Sequence, residues 1–266
     1  MGTTVLLLGS AVLLEIAVIS VRRLSRLSEA LRLRPAARSE DTPIGGNILS
    51  GFTHAFRSRY LLNISIYMLL YSITSTFLYF EQATIVNRSF ADRAARTAFF
   101  AQVDLLVNVL TLGIQVFLTE RLLRSLGVAL TLTLLPALSM LGFGALGLIP
   151  TVAIIVLFQV LRRTSNFAVA RPTREVLFTV IPREDKYKAK SFIDTVIYRS
   201  GDQAGAWSYA LLSGLGLSLT GIALAAVPLS AVWLLNSFWL GREQERMGAA
   251  RTPGGCISGG SPSQPA

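Results

Sequence analysis

The chain has 266 residues, of which 52% are hydrophobic and only 15% charged, with a formal net charge of +10. A soluble domain carries about 25% charged residues, so this balance excludes an ordinary water-soluble enzyme and points to a membrane protein. One cysteine, Cys256, and one histidine, His54, exclude an internal disulfide framework, a thiolate metal cluster and a multi-histidine metal site, and no cofactor is expected.

Apolar runs and their breakers predict an all-α polytopic bundle of about seven transmembrane spans. The first covers residues 1–21, with its apolar run at Thr3–Val21 closed by Arg22 and Arg23. No positive region precedes it, so no cleavable leader is expected. A basic linker follows over residues 22–59, with a short amphipathic helix at Leu24–Leu33 and loop signals at Pro35 and Thr42–Gly46. The main body is residues 60–240. Its spans are expected at Tyr60–Phe80, Ala98–Leu118, Val128–Leu148, Thr151–Arg171, Phe192–Ser213 and Leu219–Leu240. A tight basic turn, Glu120–Gly127, joins two of them, and Pro136 is placed to kink the next span. Residues 241–266 are rich in Gly, Ser and Pro and are expected to form a disordered tail.

The positive charge sits between the apolar runs. With alternate crossings, Arg22–Arg59, Arg121, Arg124, Arg174–Lys190 and Arg242–Arg251 fall on one side, leaving only Arg88, Arg93 and Arg96 on the other. That asymmetry places the N-terminus outside and the C-terminus in the cytoplasm, and it explains the net charge without nucleic acid.

Polar residues recur at helical spacing inside several spans. The stripes are Asn63, Tyr67, Thr74 and Glu81; Asp104, Asn108, Thr111 and Gln115; Gln159, Arg162, Arg163 and Asn166; and Asp194, Tyr198 and Asp202, with Arg199 beside the last. Each stripe alone fits helix-to-helix hydrogen bonding; four together fit the walls of a polar cavity. Arg162 and Arg163 are the most informative pair. The eleven residues from Thr151 to Leu161, just before Arg162, rise only ~17 Å of a ~30 Å hydrocarbon core. Both charges therefore lie near mid-depth, where charge is costly and marks an interior or a water-filled path. Two readings stay open for them: structural ion pairs with Asp104, Asp194 or Asp202, or a fork for carboxylate or phosphate. They stand 100° apart, so one is expected to face the cavity and the other to pair sideways. Gly201 and Gly205 form a spacing that suits close helix packing.

The stretch Arg171–Asp202 resembles a segment of the ATP/ADP translocase family, nucleotide transporters related to the major facilitator superfamily. The features are Pro172, Arg174-Glu175, Ile181-Pro182, Lys186, Lys188, Lys190 and Ile193-Asp194. Gly45–Leu62 is similar to the linker into the second six-helix half of such transporters, and Glu120–Gly127 to a basic loop within it. The resemblance implies a facilitator-type six-helix half, preceded by one extra helix, with inverted repeats over residues 60–148 and 151–240 and solute bound near mid-membrane. It departs at Asp202, where the family pattern is expected to carry lysine.

The function expected from this is a carrier, not an enzyme. It would move a small anionic, nucleotide-like solute by alternating access, in a bacterial inner membrane. The expected solute-binding residues are Arg162, Arg163, Asp104, Asn108, Gln159, Asn166, Asp194, Arg199 and Asp202. The expected partners are the lipid bilayer, the solute, and a complementary N-terminal half or a second copy. A non-transporting scaffold or sensor derived from a truncated carrier is the alternative.

Overall fold

The computed structural model describes residues 3–32 and 58–251. The sequence expectations for the loop signals at residues 35–46, for His54 and for the tail beyond residue 251 lie outside the described residues. Contacts divide the chain into two units, residues 1–46 and 47–266.

The first unit is helix α1, Thr3–Arg32. The helix does not stop where the apolar run ends, at Arg22. Arginine, leucine and serine side chains carry no helix breaker, so the helix continues without interruption through the stretch expected to be a separate amphipathic segment. Its leucines, such as Leu7 and Leu13, are exposed.

The second unit is a helical bundle: α2 (Arg59–Ser89), α3 (Arg93–Phe117), α4 (Thr119–Leu148), α5 (Val152–Val180), α6 (residues 183–214) and α7 (Leu219–Arg251). No strand occurs among the described residues. Five of these helices, α2, α3, α4, α5 and α7, are long and apolar enough to cross a bilayer. Helix α6 is long enough, but Arg199, Asp202 and Gln203 dilute its apolar character. Helix α7 runs past the boundary at 240 expected from hydropathy, because Arg242–Met247 is good helix-forming sequence and Gln244 is buried against the bundle.

Two apolar clusters make the core. The first gathers Tyr60, Ile64, Tyr67 and Met68 of α2 with Leu132, Leu177, Ile193 and Trp233. The second gathers Phe77, Leu78 and Ile85 of α2 with Phe143, Leu146, Ile155, Phe158 and Ile222. Between them along α2 lies a short polar belt, Ser72, Thr74 and Ser75. Thr74 stands fifteen residues from either end of α2, about 22 Å of helix each way. The belt therefore lies midway along α2.

Helix α6 packs on this belt through its glycines. A Cβ on Gly201 would lie 2.7 Å from Ser72 Cβ, and one on Gly205 would lie 3.1 Å from Ile73 Cα. The two backbones touch, which is the close-packing role expected for this spacing. The contact lets the Ser72 hydroxyl reach across to the Tyr198 carbonyl at 2.9 Å and to the Asp202 carboxylate.

Helix α4 is broken at Gly127, where φ is 73° and ψ 179°, a conformation essentially confined to glycine. The basic turn is thus a short helical segment, and the membrane-crossing part starts afresh at Val128, as the sequence predicts. The restart has an amide to satisfy, and Glu245 of α7 does so by accepting from Ala129 N–H at 3.0 Å. A Cβ at position 127 would lie 2.7 Å from Glu245 Oε1. Gly127→Ala therefore strains the backbone and pushes away the cap. Together these are expected to cost about 2 kcal/mol, read as a lower thermal midpoint in detergent, whereas Glu245→Gln retains an acceptor and stays near wild type. Equal stability of Gly127→Ala and wild type would contradict this account of the break.

Candidate functional site

Helix α5 carries the site, and its shape follows from Pro172. A proline inside a helix cannot donate to the carbonyl four residues back and crowds it. Here that carbonyl belongs to Ala168. The helix responds with a π turn at Asn166–Ala170, in which Arg171 N–H bonds to Asn166 O, five residues back. Two carbonyls lose their helical donors. Thr119 Oγ1 of α4 donates to Ala168 O at 2.8 Å, and Gln115 Nε2 of α3 donates to Phe167 O at 3.1 Å. The π turn is thereby tied to both neighbours, and such turns collect at functional sites. A second one, at Ile193–Ile197, interrupts α6.

One turn before the first π turn, Arg162 is 4% exposed and points into the polar belt. Its Nε donates to Ser139 Oγ at 3.0 Å and its Nη1 to Ser75 Oγ at 3.0 Å. Its Nη2 reaches Thr74 Oγ1 at 2.9 Å and Tyr71 O at 3.4 Å. The guanidinium also lies 5.4 Å from the centre of the Tyr71 ring. Every one of these partners is neutral. Among the described residues no carboxylate lies within ion-pair distance of Arg162. Of five N–H donors, four have these acceptors, which leaves one on Nη1. Hydroxyls and a ring orient the charge without cancelling it, and a full charge at this depth is expensive without a counter-ion or water.

Arg163 behaves differently. Its Nη1 lies 2.5 Å from Asp104 Oδ1 of α3, and both side chains are half-exposed. The 100° step between the two arginines turns one into the bundle and the other onto a neighbouring helix. Removing one member of this pair strands a charge, while removing both does not. Asp104→Asn is therefore expected to lower the folded yield more than Asp104→Asn with Arg163→Gln. Equal losses by size-exclusion profile would show that the two groups do not support each other.

A cavity of about 410 Å³ opens beside both arginines. It is lined by Tyr71, Ser75, Tyr79 and Gln82 of α2, Phe100 and Asp104 of α3, and Gln159, Arg162, Arg163, Asn166 and Phe167 of α5. Gln159 Nε2 donates to Gln82 Oε1 across it. The volume falls within the range of small-molecule sites.

The structure thus brings together five of the expected residues: Asp104, Gln159, Arg162, Arg163 and Asn166. Asn108 lines a second cavity further along α3, together with Thr111 and Gln115. Asp194 faces Arg174 at 3.6 Å. Arg199 and Asp202 lie 3.7 Å apart on α6, off the walls of the first cavity. The α2 stripe reads differently from expectation. Tyr67 packs against Trp233, Asn63 accepts from Asn236, Thr74 holds Arg162, and Glu81 is fully buried beside the second apolar cluster. The wall that α2 gives the cavity is Tyr71, Ser75, Tyr79 and Gln82, a face not singled out in the sequence. Ser139, on α4, was also missed; its signal is a hydroxyl inside an apolar span, three residues after Pro136.

The chain is similar to two curated proteins. It is 26% identical over 217 residues to "ADP,ATP carrier protein 2" of Chlamydia pneumoniae, covering 72% of this chain and 40% of that protein. It is likewise 26% identical over 218 residues, with the same shares, to "ADP,ATP carrier protein 2" of Chlamydia trachomatis serovar D. These matches support a relationship with the ATP/ADP translocase family, and the apolar helices make the chain an integral membrane protein. The chain spans about 40% of the length of the curated relatives it matches. No family model and no solved structure matches it.

Proposed function

We propose that this relative of ADP,ATP carriers is one half of a nucleotide-type carrier, with Arg162 as the charge that receives the anionic solute at mid-membrane. The observation that carries this reading is the uncompensated Arg162 guanidinium. It is buried on α5 against the midpoint of α2, oriented by neutral groups and open to a 410 Å³ cavity. An anion with several oxygens supplies the missing countercharge, and the free Nη1 hydrogen gives it a directed donor. Tyr71, Tyr79, Phe100 and Phe167 offer aromatic surface on the same walls, suited to a flat base.

In this reading the six helices of the second unit are a facilitator-type half. Its repeats are residues 60–148 and 151–240, and a complementary half or a second copy closes the open side of the cavity. Alternating access moves the solute, with the C-terminus in the cytoplasm of a bacterial cell. Asp202, an acid where the resembling family is expected to carry lysine, does not oppose this. It is held by Ser72 and lies 3.7 Å from Arg199.

The test is binding of ATP, ADP, inorganic phosphate and citrate to purified protein by thermal shift. Stabilisation by nucleotides, absent for citrate, is expected. Stabilisation by none of the four would contradict a carrier reading and favour a scaffold.

A further inference from the structure

We propose that the cavity between α3 and the second half of α5 is a separate subsite for a phosphate group, with Arg174 and Arg171 as its cationic ligands. Asp194 is the internal carboxylate that faces Arg174 when the subsite is empty. This rests on the reading of the solute as a phosphorylated anion, but on different residues.

The cavity holds about 620 Å³ and meets the first one at Phe167. Its polar lining is Asn108, Thr111, Gln115, Arg171, Arg174 and Glu175. Arg174 is the informative member. Its side chain is 17% exposed, and its Nε is buried with no hydrogen-bond partner. Its Nη1 has only the sulfur of Met68, a weak acceptor, at 2.8 Å. Its Nη2 lies 3.6 Å from Asp194 Oδ1, an ion pair too long for a good hydrogen bond. Arg162 has four oxygen acceptors; Arg174 has none at bonding distance. A partly buried guanidinium left this unsatisfied is poised for a ligand with several oxygens.

The surroundings agree. Glu175, the acid on the wall, is taken by Lys190 Nζ at 2.5 Å, which offsets its charge. Arg171 adds a second positive charge, held in place by stacking 4.7 Å from the Phe167 ring. Thr111 Oγ1 is buried without a partner. Pro172 sets the placement, because the π turn it causes rotates Arg171 and Arg174 relative to Arg162. About nine residues, roughly 13 Å of helix, separate Arg162 from Arg171. A solute reaching from one to the other lies lengthwise along α5, with its phosphate end in the second cavity.

The experiment measures binding of inorganic pyrophosphate and of ATP and AMP to the purified chain, for wild type, Arg174→Gln and Asp194→Asn. Wild type is expected to bind pyrophosphate. Arg174→Gln is expected to weaken pyrophosphate and ATP by about 10–100-fold, the range for one charge-assisted contact, while AMP changes less than about threefold. Asp194→Asn releases Arg174 and tightens pyrophosphate severalfold. If pyrophosphate binds with this pattern but no nucleotide binds, the subsite stands and the nucleotide reading fails. If nucleotides bind and Arg174→Gln leaves ATP and pyrophosphate unchanged, the subsite is wrong and the carrier reading survives. Absence of pyrophosphate binding to wild type, or equal weakening by Asp194→Asn and Arg174→Gln, also overturns the subsite, the latter by making the pair purely structural.

Discussion

Arg162→Gln is expected to abolish solute binding and uptake while leaving the protein as stable as wild type, or more so. The two halves of that result come from one cause. The guanidinium is oriented by Ser75, Ser139, Thr74 and the Tyr71 carbonyl, all neutral. Its desolvation is therefore not repaid by a countercharge within the described fold. Replacing a buried charge by a neutral amide of similar reach removes that penalty and keeps some of the hydrogen bonds. A structural arginine would behave oppositely, because its removal would strand a carboxylate. The solute loses the buried, uncompensated cation of the first cavity. The loss of one fully desolvated charge contact costs about 2–5 kcal/mol, or roughly 30-fold to several thousand-fold in affinity. Arg162→Lys is expected to recover little, since an ammonium cannot span Ser139, Ser75 and Thr74 together. The checks are uptake into proteoliposomes and the thermal midpoint in detergent. Retained uptake would remove Arg162 from the site; a collapsed midpoint would make it a structural residue.

The second large effect is expected at the contact of α2 with α6. Gly201→Ala places a methyl 2.7 Å from Ser72 Cβ and 3.1 Å from the Leu69 carbonyl oxygen. Gly205→Ala places one 2.9 Å from Thr76 Cβ and 3.1 Å from Ile73 Cα. At both positions part of the obstacle is backbone, which has no rotamer to change. The helices must separate, and overpacking of this kind costs about 1–3 kcal/mol per site. The separation also lengthens the reach of Ser72 to Tyr198 and Asp202. The double substitution is expected to lower the thermal midpoint by more than the sum of two ordinary surface changes, and Gly205→Leu to eliminate the monodisperse peak in size exclusion. Wild-type behaviour of Gly205→Leu would mean that the two helices do not touch as described.

Much of the architecture was readable because hydropathy in a bilayer is a strong signal. The apolar runs marked the helices, five of which are long and apolar enough to cross a bilayer, and Gly127 with the preceding basic turn gave the break before Val128. The divergence of Arg162 from Arg163 was readable too, since neighbours on a helix point 100° apart. The face of α2 was not readable. A helix surrounded by other helices is apolar on all sides, so its few polar groups do not reveal which of them meets a cavity and which meets another helix. Thr74 and Tyr71 are both polar and less than one turn apart, yet Thr74 turns to the core and Tyr71 lines the cavity. The π turn had a sequence signal in Pro172, but its effect on Arg171 and Arg174 depends on Gln115 and Thr119 being in place to take the freed carbonyls. Those partners come from other helices, and the α3 stripe that includes Gln115 does not reveal which carbonyl it meets.

Solute is expected to reach a cavity beside Arg162 at the middle of the membrane. This is tested most directly with a Ser75→Cys variant in a Cys256→Ser background, because Ser75 lies on the cavity wall and touches Arg162. A small, negatively charged, membrane-impermeant thiol reagent should label the introduced thiol in vesicles, and ATP or ADP should slow that labelling. Absence of labelling, or labelling at the same rate with and without nucleotide, would contradict the account.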